Sequence, residues 1–582
     1  MKNLYTLKKY FARYKNKLLW GFIFIILSNI GTVYVPMLMK DSIDALQHNA
    51  TASILLQYGL MIVGASLFAG IFRFMIRQTI IVVSREIEFD LRGDFWKHIQ
   101  LLPLRYFQNT STGNIMAHAT NDINAVRMFI GPAVMYSIDT SVRLIMVLIL
   151  MLSLNTTLTI YALLPLPLLS ILVYKVGKLI HSKFTTIQEK FAQLTTLAQE
   201  NFSGIRVIKS YVREESEMKR YAEHSQDYLK KNMNLVRTQA LIMPILFLIT
   251  GLSIIIVIWL GGTKVINGEL TLGEITAFIV YLGILIWPMI AFGWVINIIQ
   301  QAEASMKRLN KIFAEPYEIN ETEKTNYLLK DVKGNIEFKN VSFRYNEHSP
   351  YILKNIKLKI PAGSTLAIMG YTGSGKTSLI NLIPRLYDCT EGEILIDGIN
   401  VKEMPLDVLR TNIGVVQQES FLFSDTILNN ISYGRREINP SLVDRVTEIA
   451  QFDKDVQEFP LKYETIVGER GITFSGGQKQ RACLARALAI DPKILILDDS
   501  FSAVDTSTEE EILKNLKSFM RERTSIMISH RISTVKDADK IIVLSESKIA
   551  EEGTHEQLIA KGGIYADLHY KQLLEQELEE IK

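Results

Sequence analysis

The chain has 582 residues, 48% of them apolar and 21% charged, with a mean hydropathy of +0.16 and a net charge of +4. Disordered chains combine low hydrophobicity with high net charge, so this chain is not one, and its hydropathy argues against a purely soluble enzyme. Two cysteines without metal-site spacing exclude a disulfide framework, and the small net charge gives no reason to expect a nucleic-acid partner.

The charges are unevenly spread. Residues 18–39, 45–72, 144–174, 238–263 and 275–302 contain no Asp, Glu, Lys or Arg. A bilayer core takes about 20 apolar residues in a helix. The stretch 144–174 is too long for one span, and its middle, Leu154-Asn155-Thr156-Thr157, reads as a turn. Six transmembrane helices are therefore predicted, at about 18–39, 54–77, 132–153, 158–178, 240–262 and 273–296. Residues 1–17 carry Lys2, Lys8, Lys9, Arg13, Lys15 and Lys17 and no acid, which puts the N-terminus on the cytoplasmic side. An even number of spans returns the chain to that side. Leu4, Leu7, Phe11 and Tyr14 recur at helical spacing, so this segment is expected to lie along the membrane surface.

The outer connections (about 40–53, 154–157 and 263–272) are short. The inner ones (about 78–131 and 179–237) are long, charged and helix-prone, and read as membrane helices continuing into the cytoplasm; two small soluble inserts are the alternative. Each has a glycine-marked break, Thr112-Gly113-Asn114 and Ser203-Gly204-Ile205, suited to a short crosswise helix. Arg73, Arg77 and Asp139 are the charges in or near spans, with Arg143 one turn beyond Asp139. Intramembrane charges often mark transport pathways, but both arginines fall near the inner interface. Tyr281, Trp287, Phe292 and Trp294 give the sixth span an aromatic side, read as packing or lipid anchoring ahead of a cargo site.

Residues 316–333 read as a polar linker between a transmembrane domain, 1–315, and a second domain, 334–582. There, short β-branched runs alternate with helices: 336–343, 365–369, 393–396, 413–416, 494–497, 525–529 and 540–544. That alternation predicts an α/β domain with a largely parallel sheet. Gly370-Tyr371-Thr372-Gly373-Ser374-Gly375-Lys376-Thr377 fits the phosphate-loop pattern in full, after a strand and before a helix opening near Ser378. Its glycines admit backbone N–H groups to the phosphates, Lys376 reaches the β- and γ-phosphates, and Thr377 is a Mg²⁺ ligand. The run Ile494–Leu497 ends in Asp498-Asp499, where Asp498 is suited to hold Mg²⁺ through water. Between these motifs, Ser475-Gly476-Gly477-Gln478 opens a helix whose free N–H groups suit an anion.

Together these motifs resemble the ATP-binding cassette (ABC) exporters, specifically a half-transporter of the bacterial multidrug type. The resemblance covers essentially the whole chain. It implies an α-helical six-span transmembrane domain with long cytoplasmic extensions, followed by an α/β P-loop nucleotide-binding domain. Phe474–Gln478 resembles the family's signature motif, with Phe where Leu is commonest. By resemblance Tyr345 stacks on adenine, Gln418 senses Mg²⁺ and the membrane domain, and Ser502-Ala503-Val504-Asp505 crosses the dimer interface. His530 matches the switch histidine at the γ-phosphate. Gly468-Glu469-Arg470-Gly471 resembles the segment touching the membrane-helix ends. ATP would lie between the phosphate loop of one chain and the Ser-Gly-Gly of another, so a second half-transporter is expected as partner.

Asp499 departs from the pattern, since hydrolytically active members carry Glu there. In related exporters this change, with an intact signature, marks the weak-site subunit of a heterodimer whose partner keeps Glu; a homodimer that tolerates Asp is the alternative. The expected activity is ATP-driven export of amphipathic small molecules across the cytoplasmic membrane. Lipid, peptide or siderophore export, or an ATP-gated regulator or channel, are the other readings.

Overall fold

The computed structural model describes residues 2–48, 51–435, 437, 439–471 and 473–580, without the side chains at 166, 169, 170, 173, 174, 181, 289, 290, 470 and 575–580. The chain divides into two compact units, Met1–Ile99 with Thr112–Glu315, and Gln100–Ser111 with Pro316–Lys582.

The first unit is built on long helices: α1 (Lys15–Gln47), α2 (Ala52–Gln100), α3 (Thr112–Leu154), α4 (Leu166–Ser203), α5 (Glu214–Ile266) and α6 (Leu272–Phe313). Among the described residues five of these, all but α4, are long and apolar enough to cross a membrane. They contain five of the six predicted spans. The remaining one, 158–178, falls on a short helix, Thr156–Leu163, and the start of α4, with the break at Leu164 and Pro165. Proline lacks an N–H and its ring clashes with the carbonyl four residues back, which explains the interruption.

Small residues let the helices approach. A Cβ on Gly31 would lie 3.0 Å from the Ala65 carbonyl oxygen, and one on Gly273 would lie 2.3 Å from that of Lys40. Ser28 donates to the Ala69 carbonyl of α2 at 3.0 Å, a short side chain serving as interhelical glue. Asp44 of α1 accepts from Gly273 N and from Thr271 Oγ1, both at 2.9 Å, tying α1 to the start of α6.

Part of the apolar side of the N-terminal segment packs against the protein. Leu4, Leu7 and Tyr10 are buried, Lys9, Arg13 and Lys17 pair in turn with Asp94, Asp90 and Glu86 of α2, and Asn3 donates to Glu303 of α6. The acids at four-residue spacing on α2 attract the basic ladder. Short helices lie near both glycine breaks, one of them displaced from its glycine. One runs Leu104–Asn109, upstream of Gly113, which lies inside α3; the other, Ile205–Ser210, starts directly after Gly204.

The second unit holds two sheets. An antiparallel one, in the order β2-β1-β4-β5, is made of β1 (Ile336–Phe343), β2 (Leu353–Ile360), β4 (Glu391–Ile396) and β5 (Ile399–Asn400). The other, in the order β10-β9-β3-β8-β7-β6, is made of β3 (Thr365–Met369), β6 (Ile413–Val416), β7 (Ile494–Asp498), β8 (Thr524–Ile528), β9 (Lys540–Ser545) and β10 (Lys548–Gly553). It is parallel except for β10. Every residue of β7 and β8 is buried, as expected of strands covered on both faces. The short helix Leu104–Asn109 belongs to this unit, where Arg105 pairs with Glu318.

Candidate functional site

The site forms where parallel strands end, the usual place for ligands in open α/β sheets. After β3 the chain turns through Gly370, Gly373 and Gly375 at φ +143°, +82° and +97° into α7 (Lys376–Asn381). A Cβ on Gly370 would lie 2.3 Å from the Leu544 carbonyl oxygen, and one on Gly375 would lie 3.1 Å from Ile352 and Leu353. Only glycine combines these angles with that lack of room.

The loop borders a cavity of about 290 Å³. Tyr345, Thr372, Gly373, Gly375, Lys376, Thr377, Ser378, Gln418, Asp498, Asp499 and His530 line it, so residues nearly 200 positions apart converge on one space. Gly370, Tyr371 and Ser374 belong to the same loop but not to the lining, and Ser475–Gln478 do not reach this cavity. Ile352 and Ile528 also line it; neither is marked by any sequence pattern beyond its place beside a strand end.

Lys376 is buried, and its Nζ donates to the carbonyls of Gly370 (2.8 Å) and Tyr371 (3.0 Å). Burial pushes its pKa down, against the pull of Asp498 and Asp499. Thr377 Oγ1 donates to Asp498 Oδ2 at 2.9 Å. Burial raises the Asp498 pKa, an effect this hydrogen bond opposes. Ser374 Oγ is buried with no hydrogen-bond partner among the described residues. The Tyr345 hydroxyl lies 2.8 Å from Ser378 Oγ, and its ring packs edge-on against Phe343 and Tyr387.

Asp499 sits at φ +45°, a region Asp tolerates better than most residues. Its N–H donates to the Ile528 carbonyl (2.9 Å), and its carbonyl accepts from Ser502 (3.2 Å). Beyond it lies a second cavity of about 140 Å³ between Asp499–Ser502 and Ser529–Arg531, also lined by Glu509.

Ser475 and Gln478 form a reciprocal cap at the start of α8 (Gly476–Ala489), with Ser475 and Gly476 exposed. Gln480 of α8 bridges to the next motif. It donates to Ser502 Oγ (3.0 Å) and accepts from Ala503 N (2.9 Å). Asp505 caps α9 (Thr506–Met520), with Ser507 first among the donors that hold its carboxyl well below the usual range. From α9 the buried Glu509 pairs with Arg531 and accepts from Thr534 at 2.7 Å. Gln480 and Glu509 carry no signal in the sequence; nothing in their local pattern separates them from ordinary helix residues. At Gly468–Gly471, the side chain of 470 and the following residue 472 lie outside the described residues.

Residues 18–289 match the ABC transporter transmembrane region, and residues 353–502 match the ABC transporter family. A probable multidrug resistance ABC transporter ATP-binding/permease protein of Bacillus subtilis is 36% identical over 97% of this chain and 96% of its own length. The chain belongs to the ABC transporters. A multidrug resistance-like ATP-binding protein of Escherichia coli is 33% identical over 98% of this chain and 97% of its own. An ATP-dependent lipid A-core flippase of Syntrophus aciditrophicus is 34% identical over 94% and 91%. The structure of a bacterial Atm1-family ABC exporter with ATP bound superposes with a TM-score of 0.79 at 27% identity, covering 96% of this chain and 99% of that one. This is therefore an exporter-type membrane protein that binds and hydrolyses ATP to drive transport, and ABC exporters work as dimers.

Proposed function

We propose that this chain is one half of an ATP-driven exporter of amphipathic compounds in the cytoplasmic membrane, with six spans and with its N-terminus and ATP-binding domain on the cytoplasmic side. The observation that carries the reading is the convergence of phosphate loop, Asp498-Asp499 and His530 on one cavity. In this reading Tyr345 stacks on the adenine. The loop N–H groups and Lys376 hold the phosphates, and binding ATP moves the ammonium from its own loop carbonyls to phosphate oxygens. Ser475–Gln478 of each chain complete the other chain's site.

Among the described residues no group of three or more His, Cys, Asp or Glu is arranged to hold a metal. Mg²⁺ instead keeps waters and substrate oxygens and needs only one or two protein ligands. The paired Thr377 hydroxyl and Asp498 carboxylate fit that requirement, with Gln418 on the same cavity. When bound, Mg²⁺ neutralises charge on the β- and γ-phosphates. Asp499 orients the attacking water and His530 contacts the γ-phosphate. ATP closure moves the crosswise helices Leu104–Asn109 and Ile205–Ser210, and these open the membrane cavity outward; hydrolysis resets it.

The partner is a different half-transporter carrying Glu where this chain has Asp499. The shorter carboxylate reaches about 1.5 Å less, which weakens this chain's own site. Lipid export is the second reading of the cargo, favoured by the similarity to lipid A-core flippases. A transport role for Asp139 is disfavoured by its closed ion pair with Arg143.

The test is ATP-dependent movement of a fluorescent amphipath into inside-out vesicles, with Lys376→Ala as control. That variant removes the cation at the phosphates and is expected to cut ATP crosslinking to this chain at least tenfold and to abolish transport. Unchanged labelling of this chain overturns the site assignment.

A further inference from the structure

Helix α10 (Ile532–Val535) follows the switch histidine, and α11 (Ile564–Glu580) is the last helix of the chain. None of the family motifs falls on α11, yet it bears on the site. The Gln572 side chain meets the switch loop with both ends of its amide: Oε1 accepts from Ile532 N at 2.9 Å, and Nε2 donates to the His530 carbonyl. The flip state is not arbitrary, because a backbone N–H requires the oxygen and a carbonyl requires the nitrogen.

Ile532 is the first residue of α10, and its N-cap residue, Arg531, supplies no side-chain cap. The first N–H groups of a helix have no partner within it. Gln572 provides, from a distant helix, what a Ser or Asp cap provides locally. Its two bonds straddle Arg531, whose N–H donates to Ser529 Oγ (2.9 Å) and whose guanidinium is held by Glu509. The backbone that carries His530 into the cavity is thus gripped on one side by α9 and on the other by α11. Tyr371 of the phosphate loop also donates to Asp567 of α11, at 3.3 Å, on an oxygen that Lys571 already approaches at 2.8 Å.

We propose that Gln572 is a positioning residue for ATP hydrolysis, holding the His530 loop in register with the phosphate-loop cavity from the C-terminal helix. The proposal rests on the reading of His530 as the γ-phosphate switch.

The experiment uses the full-length chain in lipid nanodiscs, wild type and Asp499→Glu, each with and without Gln572→Ala. Hydrogen exchange of the Ile532 amide is expected to rise at least tenfold in Gln572→Ala, while amides of Thr524–Ile528 keep their protection. Turnover is expected to fall about tenfold, a fraction of the hundredfold that a 1 Å misplacement costs. KM for ATP should stay constant because the phosphate loop is untouched. Gln572→Glu should keep Ile532 protected yet share the loss of turnover, since a carboxylate accepts from Ile532 but cannot donate to His530. Unchanged Ile532 exchange, unchanged turnover in both backgrounds, or a loss of protection that spreads through β8 together with a raised KM overturns the proposal. His530→Ala separates the two readings. If it leaves turnover intact, the switch assignment is what fails; if it abolishes turnover while Gln572→Ala does nothing, the clamp alone fails.

Discussion

In the membrane unit, one cluster of polar groups closes upon itself. Asn29 donates to Asp139 (2.8 Å) and accepts from Arg143 (2.9 Å), and Arg143 pairs with Asp139 (2.8 Å), joining α1 to α3 in a ring with no charge left over. Around the phosphate loop the polar groups are only provisionally occupied. Lys376 leans on carbonyls of its own loop, and Ser374 has no partner among the described residues. Removing one partner of a buried, paired charge is costly, whereas an ammonium resting on carbonyls of its own loop can exchange them for an anionic ligand. The difference between these two places sets up a rule to test: the closed ring holds helices together, and the open groups at the phosphate loop are the ones proposed to meet ATP.

The sharpest way to break that rule is at Asp499, which is open but short. Asp499→Glu in the chain purified alone is expected to raise ATPase, up to the hundredfold order that about 1 Å of misplacement costs. The gain is reduced by backbone at φ +45°, which Glu tolerates less well than Asp. Beside a partner that carries Glu, the weak-site reading expects Ser475→Ala to impair turnover more than Asp499→Asn, because in that reading this chain's signature completes the stronger site. Steady-state ATPase with and without the partner, at matched protein concentration, decides it. A wild-type chain fully active alone and indifferent to Asp499→Glu establishes a competent homodimer and discards the weak-site reading.

The next largest effect tests closure in the membrane unit. Asp139→Leu leaves Arg143 with only Asn29 and is expected to cost about 2 kcal/mol, as for hydrogen bonds to charged groups. Asp139→Leu/Arg143→Met should recover much of the loss, since replacing both partners of a buried pair is often neutral. Thermal unfolding in detergent reads both variants. If the double variant is as stable as wild type but cannot transport, the ring belongs to the cargo path and the rule fails there.

Legibility in the sequence follows the same line. Residues of the phosphate-loop motif and the strand-end acids are readable because backbone geometry dictates them: glycines where a Cβ would strike Leu544 or Leu353, and acids at a strand end. The antiparallel sheet is less readable. β2, with lysines at Lys354, Lys357 and Lys359, lacks the unbroken apolar run of a buried parallel strand, and β10 is a polar edge strand. Residues whose role depends on distant partners leave no local trace. Arg143 is one turn from Asp139 and was anticipated, but Asn29 lies 110 residues away. Gln572, 40 residues from Ile532, is equally silent.

The smallest effect distinguishes aromatic residues that look alike in sequence. Tyr281, Trp287, Phe292 and Trp294 share α6, but Tyr281 is fully buried among α1, α3 and α5 residues and donates to the Val33 carbonyl at 3.0 Å. Trp287 and Phe292 are about half exposed, and Trp294 packs edge-on against Tyr136 of α3. Tyr281→Phe removes one hydroxyl and one hydrogen bond, worth about 1 kcal/mol. A small drop in thermal stability with unchanged transport is expected. Trp287→Ala and Phe292→Ala should do the reverse, leaving stability close to wild type and altering which amphipaths stimulate ATPase. Measured across a panel of cationic, neutral and anionic amphipaths, a change of cargo preference in Tyr281→Phe with none in the two exposed variants would move the cargo surface to the buried side of α6 and defeat the distinction.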